Sequence, residues 1–302
     1  MSENKVLVIS NLSVMMKERF LVKIVTFDVK QGECIGIIGL KRSGKSSLLK
    51  ALSGSLPITE GQVYFCGKDL TTQTNKLSPT MGICLDPPVF FKYQSVLTNM
   101  QYLSALGEKS DKAKILSALN KFNLAHKAKA KVRTLSYYEK KLMALALAFL
   151  TEPKVLLLDE PFKTLPENEI QNLNERGTTI IISSEDIEPL EDLCDRFVFM
   201  ENRSIKEILT NKACKKVNSA NSYMFVDVKH PHYAGKLIID HFGLKVKLLD
   251  QKVLFDCDDD SIAEIVEFLS QKKIVIYKAG FLSKKTEQIF AELTPYFKEV
   301  QE

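Results

Sequence analysis

Apolar and polar positions follow two different patterns in the N-terminal part of the chain. Residues 5–10 and 20–30 alternate between apolar and polar side chains, as strands with one buried face do. Short continuous apolar runs, which predict strands buried on both faces, follow at 33–38, 82–85, 154–159, 178–183 and 197–200. Helical segments separate these strands, so the sequence predicts an α/β core that contains a parallel sheet.

Two further regions have their own patterns. From about residue 92 to 152, apolar side chains recur at intervals of three and four, which predicts a helical subdomain inserted into the core. Beyond about residue 215 we predict strand 222–229, helix 231–242, strands 243–249 and 252–257, helix 259–271, strand 273–278 and helix 284–296. The order β-α-β-β-α-β is that of the ferredoxin-like fold. We therefore expect two domains, residues 1–214 and 215–302.

The composition is that of an ordinary globular protein, with 302 residues of which 45% are hydrophobic and 26% charged. The formal net charge of +5 comes from scattered lysines without a basic and aromatic stripe, so we expect no nucleic-acid interface. The six cysteines lack metal-ligand spacing and predict reduced core residues of a cytosolic protein. We expect no signal peptide and no membrane span, so work at a membrane would need a partner.

The strongest chemical signal is the pattern G-x-x-x-x-G-K-[ST] between a predicted strand and a predicted helix. Its glycines allow backbone N–H groups to surround an anion at a helix N-terminus. Lys45 adds a positive charge for the β- and γ-phosphates, and Ser46 offers a hydroxyl to Mg²⁺. The predicted nucleotide-binding residues are Gly39, Leu40, Lys41, Arg42, Ser43, Gly44, Lys45, Ser46 and Ser47.

A second acidic signal follows a buried strand. The apolar run 155–158 ends in Asp159 and Glu160, at the edge of the sheet where α/β proteins bind their ligands. We expect Asp159 to hold Mg²⁺ with Ser46, and Glu160 to polarise the attacking water as the catalytic base. Together with the phosphate-binding loop, this pair predicts a site that binds and hydrolyses a nucleotide with Mg²⁺.

These two signals resemble those of the ATP-binding subunit of ABC transporters, and the resemblance extends over roughly residues 5–210. Residues 135–139, Leu-Ser-Tyr-Tyr-Glu, occupy the place of the family's LSGGQ signature, and the alanine-rich run 144–148 follows it. The C-terminal region looks like the small extra domain of relatives that export drugs and peptides. The resemblance implies a P-loop NTPase core, with ATP and Mg²⁺ as cofactors.

The departures from the family pattern fall on groups that carry chemistry. Asp86 stands where the resemblance predicts a glutamine that senses the γ-phosphate and Mg²⁺, although an aspartate can still approach a metal. The signature keeps Ser136 but has Tyr137 and Tyr138 where two glycines are expected, and these rings should obstruct a close approach to phosphate. Glu185 replaces the switch histidine, so a negative charge stands where a donor is wanted.

One further departure is Pro166, where an aspartate is expected. Two interpretations of these changes compete: a working motor subunit with an unusual sequence, or a subunit that binds ATP and has lost efficient turnover. Since loss of one preorganised donor typically costs about 10²–10³ in rate, we favour slow or absent turnover. A third interpretation is a regulatory or immunity protein that uses ATP as a conformational ligand without transport.

The resemblance also implies partners. Two cassettes of this family face each other head to tail, so we expect a second ABC cassette, in a homodimer or a heterodimer, and integral membrane subunits of an exporter. Phe90, Phe91 and Tyr93 are candidates for the groove that contacts a membrane subunit, and they could equally be core aromatics. The expected location is cytoplasmic and peripheral, at the inner face of the membrane.

Overall fold

The computed structural model describes residues 4–71, 81–104, 111–150, 152–161, 167–216, 223–255, 261–282 and 285–295. The chain forms two compact units, Met1–Asn211 and Lys212–Glu302. In chain order, the elements up to the unit boundary are β1 (Lys5–Met16), β2 (Arg19–Lys30), β3 (Cys34–Ile38), α1 (Lys45–Leu52), β4 (Glu60–Phe65), β5 (Lys68–Asp69), β6 (Met81–Cys84), α2 (Val96–Ser104), α3 (Lys112–Lys121), α4 (Tyr137–Leu150), β7 (Val155–Asp159), α5 (Glu167–Glu175), β8 (Thr179–Ser184), β9 (Arg196–Glu201) and β10 (Ser204–Thr210).

A six-stranded sheet in the order β10-β9-β3-β8-β7-β6 forms the centre of the first unit. Its strands are parallel except for β10, which pairs antiparallel with β9 at the edge. The predicted α/β class with a parallel sheet is therefore confirmed. β10 lies outside the predicted strands because it has no buried apolar run, and because its hairpin turns at Asn202 and Arg203 without a glycine.

A second sheet of the first unit is antiparallel, in the order β2-β1-β4-β5. One buried apolar cluster contains side chains of β1, β2 and β4, of α1, and of the central strands β3 and β7. Burial alternates over residues 25–30 of β2, as the sequence predicts, whereas β1 has consecutive buried residues at 6–7 and 12–14, and every residue of β3, β7 and β8 is buried. The two sheets therefore hold α1, and the loop before it, in place.

The inserted segment contains α2, α3 and α4, but it is not helical throughout. Between α3 and α4 the chain has two short 3₁₀ turns, Ala125–Lys127 and Val132–Thr134, and it bonds back to the segment that precedes α2. The amide of Val132 donates to the carbonyl of Gln94, at 3.0 Å, and the amide of Arg133 donates to that of Lys92, at 2.8 Å. The helices α2, α3 and α4 lie within the predicted helical subdomain at about 92–152, and the lysine-rich spacing gives no signal for this short pairing between them.

The remaining elements are α6 (Asn211–Lys216), β11 (Met224–Val228), α7 (Pro231–Phe242), β12 (Val246–Leu249), β13 (Lys252–Phe255), α8 (Ser261–Gln271), β14 (Ile276–Phe281) and α9 (Lys285–Leu293). From β11 to β14 the elements follow the order β-α-β-β-α-β, and the antiparallel sheet has the order β12-β13-β11-β14. One face of this sheet packs on α7 and α8 through alternate residues of β11, which are Met224, Val226 and Val228. Among the described residues, no helix has the length and apolar character that crossing a membrane requires.

Candidate nucleotide-binding site

The phosphate-binding loop connects the end of β3 to the start of α1. β3 is buried between β8 and β9, so its C-terminal end is fixed at one edge of the central sheet. Glycine is needed at both ends of the loop. A Cβ on Gly39 would lie 2.7 Å from the carbonyl oxygen of Met200, and Gly44 has a φ of 107°, which other residues rarely adopt.

Lys45 is the first residue of α1 and is 5% exposed. Its ammonium donates to the carbonyl oxygens of Gly39 and Leu40, at 2.6 and 3.3 Å, and lies 3.4 Å from a carboxylate oxygen of Glu160. A buried ammonium needs such partners. The charge is thus held over the loop by acceptors that phosphate oxygens can replace.

Asp159 ends β7 and lies fully buried beside the loop. Its Oδ1 accepts hydrogen bonds from the hydroxyls of Ser46, at 3.0 Å, and Ser183, at 2.6 Å. Its Oδ2 is buried and has no hydrogen-bond partner among the described residues. A buried carboxylate oxygen without a partner is costly, and a hydroxyl beside a carboxylate is the kind of oxygen set that Mg²⁺ prefers. The residues present therefore fit a magnesium ion.

Glu160 follows Asp159 directly, with a left-handed backbone at φ 48°. Its amide donates to the hydroxyl of Ser183 at 3.1 Å. The pKa of its carboxyl group is raised, chiefly because burial disfavours the charged form; Lys45 opposes this effect and Glu185 adds to it. A carboxylate whose pKa is raised binds a proton more strongly, which suits a general base.

Glu185 comes directly after β8, next to the strand that ends at Asp159. It lies close enough to raise the pKa of Glu160. An ionised glutamate has only acceptor oxygens. At this position it therefore cannot supply the hydrogen bond to phosphate that a histidine would donate.

The signature segment begins α4 with a capping box. The amide of Glu139 donates to Ser136 Oγ at 3.2 Å, and Glu139 Oε2 accepts from the amide of Ser136 at 2.8 Å. Lys127 pairs with Glu139, and this contact lowers the pKa of the Glu139 carboxyl group. The two aromatic residues that follow, Tyr137 and Tyr138, are 54% and 50% exposed. The helix start is thus well capped, and both rings reach the surface.

Asp86 lies after β6 and contacts α4. Its Oδ1 accepts a hydrogen bond from the hydroxyl of Tyr137 and lies 3.1 Å from the ammonium of Lys141. The same ammonium donates to the carbonyl oxygen of Glu160 at 2.8 Å. Asp86, which the sequence predicts near the nucleotide, is therefore joined to the signature helix of its own chain.

Comparisons with known proteins bear on the family and the fold. The family model described as "ABC transporter" matches residues 22–163. An uncharacterised ABC transporter ATP-binding protein of Bacillus subtilis, YhcH, is 25% identical over 308 residues, covering 97% of each chain. The dimeric ATP-binding cassette MJ0796, whose structure holds ADP and Pi, superposes with a TM-score of 0.61 at 20% identity over 68% of this chain and 98% of that one. The chain belongs to the ABC transporter ATP-binding family.

Two further relatives differ in the direction of transport that their names give. The methionine import ATP-binding protein MetN of Carboxydothermus hydrogenoformans is 30% identical over 67% of this chain and 65% of its own. The Nod factor export ATP-binding protein I of Burkholderia orbicola is 32% identical over 63% of this chain and 66% of its own. Similarity to the family therefore gives no direction for this ABC subunit.

The other predicted loop residues of the ABC cassette differ in exposure. Lys41 and Arg42 are exposed, whereas Leu40 and Ser47 are half-buried. The hydroxyl of Ser43 is buried, with no hydrogen-bond partner among the described residues. Like Asp159 Oδ2, it is a polar atom that a bound phosphate or cation could satisfy. The predicted change at Pro166 lies outside the described residues.

Three contributors to this ABC site were not predicted. Ser183 bonds both Asp159 and Glu160, and only its place at the end of a buried strand could have indicated it. Lys141 lies four residues after Tyr137, a spacing that puts both on one helix face. Arg203 donates its amide to the carbonyl of Ser43 at 3.0 Å, so the β9–β10 turn supports the loop from behind.

Proposed function

We propose that this ABC subunit binds MgATP at the loop 39–47 and couples that binding to closure of a cassette dimer. The observation that carries the proposal is the convergence of Lys45, Ser46, Asp159 and Glu160. Lys45 lies 3.4 Å from Glu160, Ser46 lies 3.0 Å from Asp159, and Asp159 Oδ2 is left for a cation. These are the groups that a phosphate chain with a divalent cation requires.

The chain's own residues would act as follows. On binding, the Lys45 ammonium exchanges its carbonyl and carboxylate partners for phosphate oxygens, which releases Glu160 from its ion pair. Ser46 and Asp159 would hold Mg²⁺, which supplies charge neutralisation for the phosphate oxygens when it is bound. Glu160, with its raised pKa, then accepts the proton of the attacking water.

We propose further that turnover is slow. Glu185 offers no donor to the γ-phosphate, and it raises the pKa of Glu160 through its negative charge. Loss of one preorganised donor typically costs about 10²–10³ in rate. Slow hydrolysis suits a subunit in which ATP mainly stabilises a closed state, because a ligand shifts an equilibrium only by its preference for one state.

The partners we propose are a second ABC cassette and integral membrane subunits. Tyr138 is half-exposed at the start of α4, where the family's signature faces the nucleotide of the other cassette. Phe91 and Tyr93 are 55% and 65% exposed, while Phe90 is half-buried. An exposed aromatic group of this kind supports a protein contact better than a core role. A subunit with these partners would work at the cytoplasmic face of a membrane.

We propose export as the direction, supported by the resemblance of the C-terminal region to exporting relatives and by the similarity to the Nod factor export protein. Uptake and efflux of labelled candidate cargo in inverted vesicles that contain the whole transporter would separate the directions. Accumulation inside inverted vesicles on addition of ATP is the expected result. ATP-dependent loss of preloaded cargo from such vesicles would favour import.

The test of the main proposal is ATP binding and hydrolysis by the purified chain, alone and with membrane proteins that co-purify in detergent. Lys45→Ala and Glu160→Gln serve as controls. Tight binding that requires Lys45, with slow hydrolysis, is the expected result. Turnover of about 1 s⁻¹ by the chain alone, lost in both variants, would contradict slow turnover. Binding without any membrane protein in the purified complex would favour the regulatory alternative.

A further inference from the structure

Four groups from three separate segments meet beside the nucleotide site. The Lys141 ammonium in α4 lies 3.1 Å from Asp86 Oδ1 and donates to the carbonyl oxygen of Glu160 at 2.8 Å. The hydroxyl of Tyr137 donates to the same oxygen of Asp86, and the Lys141 ammonium lies 5.7 Å from the centre of the Tyr137 ring. We call this set the Lys141 cluster: Asp86, Tyr137, Lys141 and the carbonyl group of Glu160.

The burial of Lys141 makes these contacts specific. Its side chain is 9% exposed, and the Asp86 side chain is 31% exposed. An ammonium that has lost most of its water needs a negative partner and acceptors at close range. Asp86 supplies the charge, the Glu160 carbonyl supplies an acceptor, and the Tyr137 ring supplies a negative face. If Asp86 turned toward a metal ion, Lys141 would remain buried without its counter-charge.

The contact with Glu160 falls on a backbone that needs support. Glu160 has a left-handed φ of 48°, which residues other than glycine adopt only when their surroundings impose it. Its amide is held by the Ser183 hydroxyl at 3.1 Å, and its carbonyl is held by Lys141 at 2.8 Å. These two bonds fix the peptide groups on both sides of the residue whose carboxylate lies 3.4 Å from Lys45.

We propose that Lys141 is a positioning residue for Glu160, and that Asp86 is its counter-charge rather than a ligand of the nucleotide's metal ion. This inference rests on the proposed role of Glu160 as the base. Tyr137 secures Asp86, so that the signature helix is tied to the backbone of the catalytic strand within one chain. A change at the start of α4 is therefore transmitted to Glu160 without passing through the nucleotide.

The first test needs no activity. Hydrogen exchange is measured on the nucleotide-free chain for Lys141→Met, Asp86→Asn and the double variant, with Lys140→Met as the matched control on the same helix. We expect exchange to rise about tenfold at both 137–143 and 158–161 in each single variant, with little further increase in the double variant. Lys140→Met should leave both segments unchanged. The proposal would be overturned if exchange rose at only one of the two segments, or if the effects of the two single variants added up in the double variant.

The second test separates positioning from general stability. In ATP hydrolysis, Lys141→Met should lower kcat about tenfold with KM changed less than about twofold, and Lys141→Arg should restore at least half of kcat. Asp86→Asn should leave the Mg²⁺ concentration for half-maximal ATP binding unchanged. A shift of that concentration by about tenfold would make Asp86 a metal ligand and overturn the proposal. If the unmodified chain binds no ATP, the proposed function fails. The hydrogen-exchange result would still show whether the Lys141 cluster couples α4 to the backbone of Glu160.

Discussion

The nucleotide loop and the signature region of this ABC subunit have kept different parts of the family's chemistry. Around the loop, Ser46 bonds to Asp159 and Lys45 pairs with Glu160, and these are the residues that we propose for the ATP site. Around the signature, Asp86 and Tyr137 bond to each other, and Ser136 caps its own helix. Polar groups of the first region are left for a ligand, whereas those of the second are satisfied within the chain.

This difference separates two requirements of an ATP-driven cassette. Binding needs a charge, a curled backbone and a cation site, and all of these lie in one region of one chain. Fast hydrolysis also needs donors placed on the γ-phosphate, and Glu185 cannot provide one. A chain can therefore lose the second property and keep the first, because different residues carry them.

The largest expected effect concerns Glu160, the proposed base. Glu160→Gln should lower the rate of ATP hydrolysis by about 10²–10³ while ATP affinity changes little, because an amide accepts no proton at neutral pH. Single-turnover hydrolysis with labelled ATP measures the rate, and equilibrium binding on the same sample measures the affinity. An unchanged rate would mean that another group acts as the base. The loop region would then depart from the family's chemistry, as the signature region does.

The next largest effect concerns Lys45, the proposed phosphate ligand. Lys45→Ala should weaken ATP binding by about 100-fold, since a charge-assisted hydrogen bond contributes about 1.5–3 kcal/mol. Lys68→Ala is the control, because Lys68 is an exposed lysine outside the nucleotide loop. Calorimetry or a fluorescent ATP analogue gives both affinities. If both variants weakened ATP binding equally, Lys45 would contribute only through its general positive charge and not as a specific phosphate ligand.

Substitution of Glu185, which stands at the switch position, should raise the hydrolysis rate rather than lower it. Glu185→His should raise the hydrolysis rate about tenfold, because it returns a donor and removes a negative charge from the side of Glu160. Glu185→Gln removes the charge alone and separates the two contributions. A rate that falls in both variants would show that Glu185 supports a rearranged mechanism, and would contradict the contrast between the two regions.

The pH dependence tests the same residue pair. Since the pKa of Glu160 is raised, its ionised fraction should fall at a higher pH than for an ordinary glutamate, and the rate should drop about tenfold for each pH unit below that pKa. In Glu185→Gln the drop should move to lower pH, because a neighbouring negative charge is gone. Rates of the folded chain, checked by circular dichroism at each pH, give the profile. A drop at the ordinary glutamate pKa, unmoved in Glu185→Gln, would contradict the assignment.

Much of the central fold could be predicted because local signals and tertiary structure agree there. The buried strands β3, β7 and β8 are continuous apolar runs, and the loop after β3 has glycines where the backbone needs them. β10 and the pairing of residues 132–133 with the segment before α2 could not be predicted. Their pairing is set by tertiary contacts with β9 and with residues 92–94, and no pattern in their own sequence indicates it.

The site could be predicted only where a residue's chemistry is tied to a motif. The spacing of the motifs identifies Lys45 and Asp159 as site residues. Nothing in the sequence distinguishes Ser183 from other strand serines, and only the pairing of β8 with β7 shows that it contacts Asp159. Asp86 shows the opposite limit. Its sequence position indicates a metal or phosphate contact. Its partners in the structure, Tyr137 and Lys141, belong to a helix that begins about fifty residues later, and only the tertiary fold brings them close to Asp86.

The smallest expected effect lies at the start of the signature helix. Ser136→Ala removes one half of the capping box and should cost about 1 kcal/mol locally, or about fivefold faster hydrogen exchange in the first turn of α4. Ser136→Thr, which can keep the cap, should exchange at nearly the original rate. Both variants are measured without nucleotide, because Ser136 then makes no contact with a nucleotide bound to a second cassette. Equal exchange in all three proteins would show that the Ser136 hydroxyl does not stabilise its own helix, and it would then be available to a second cassette, as the loop residues are to ATP.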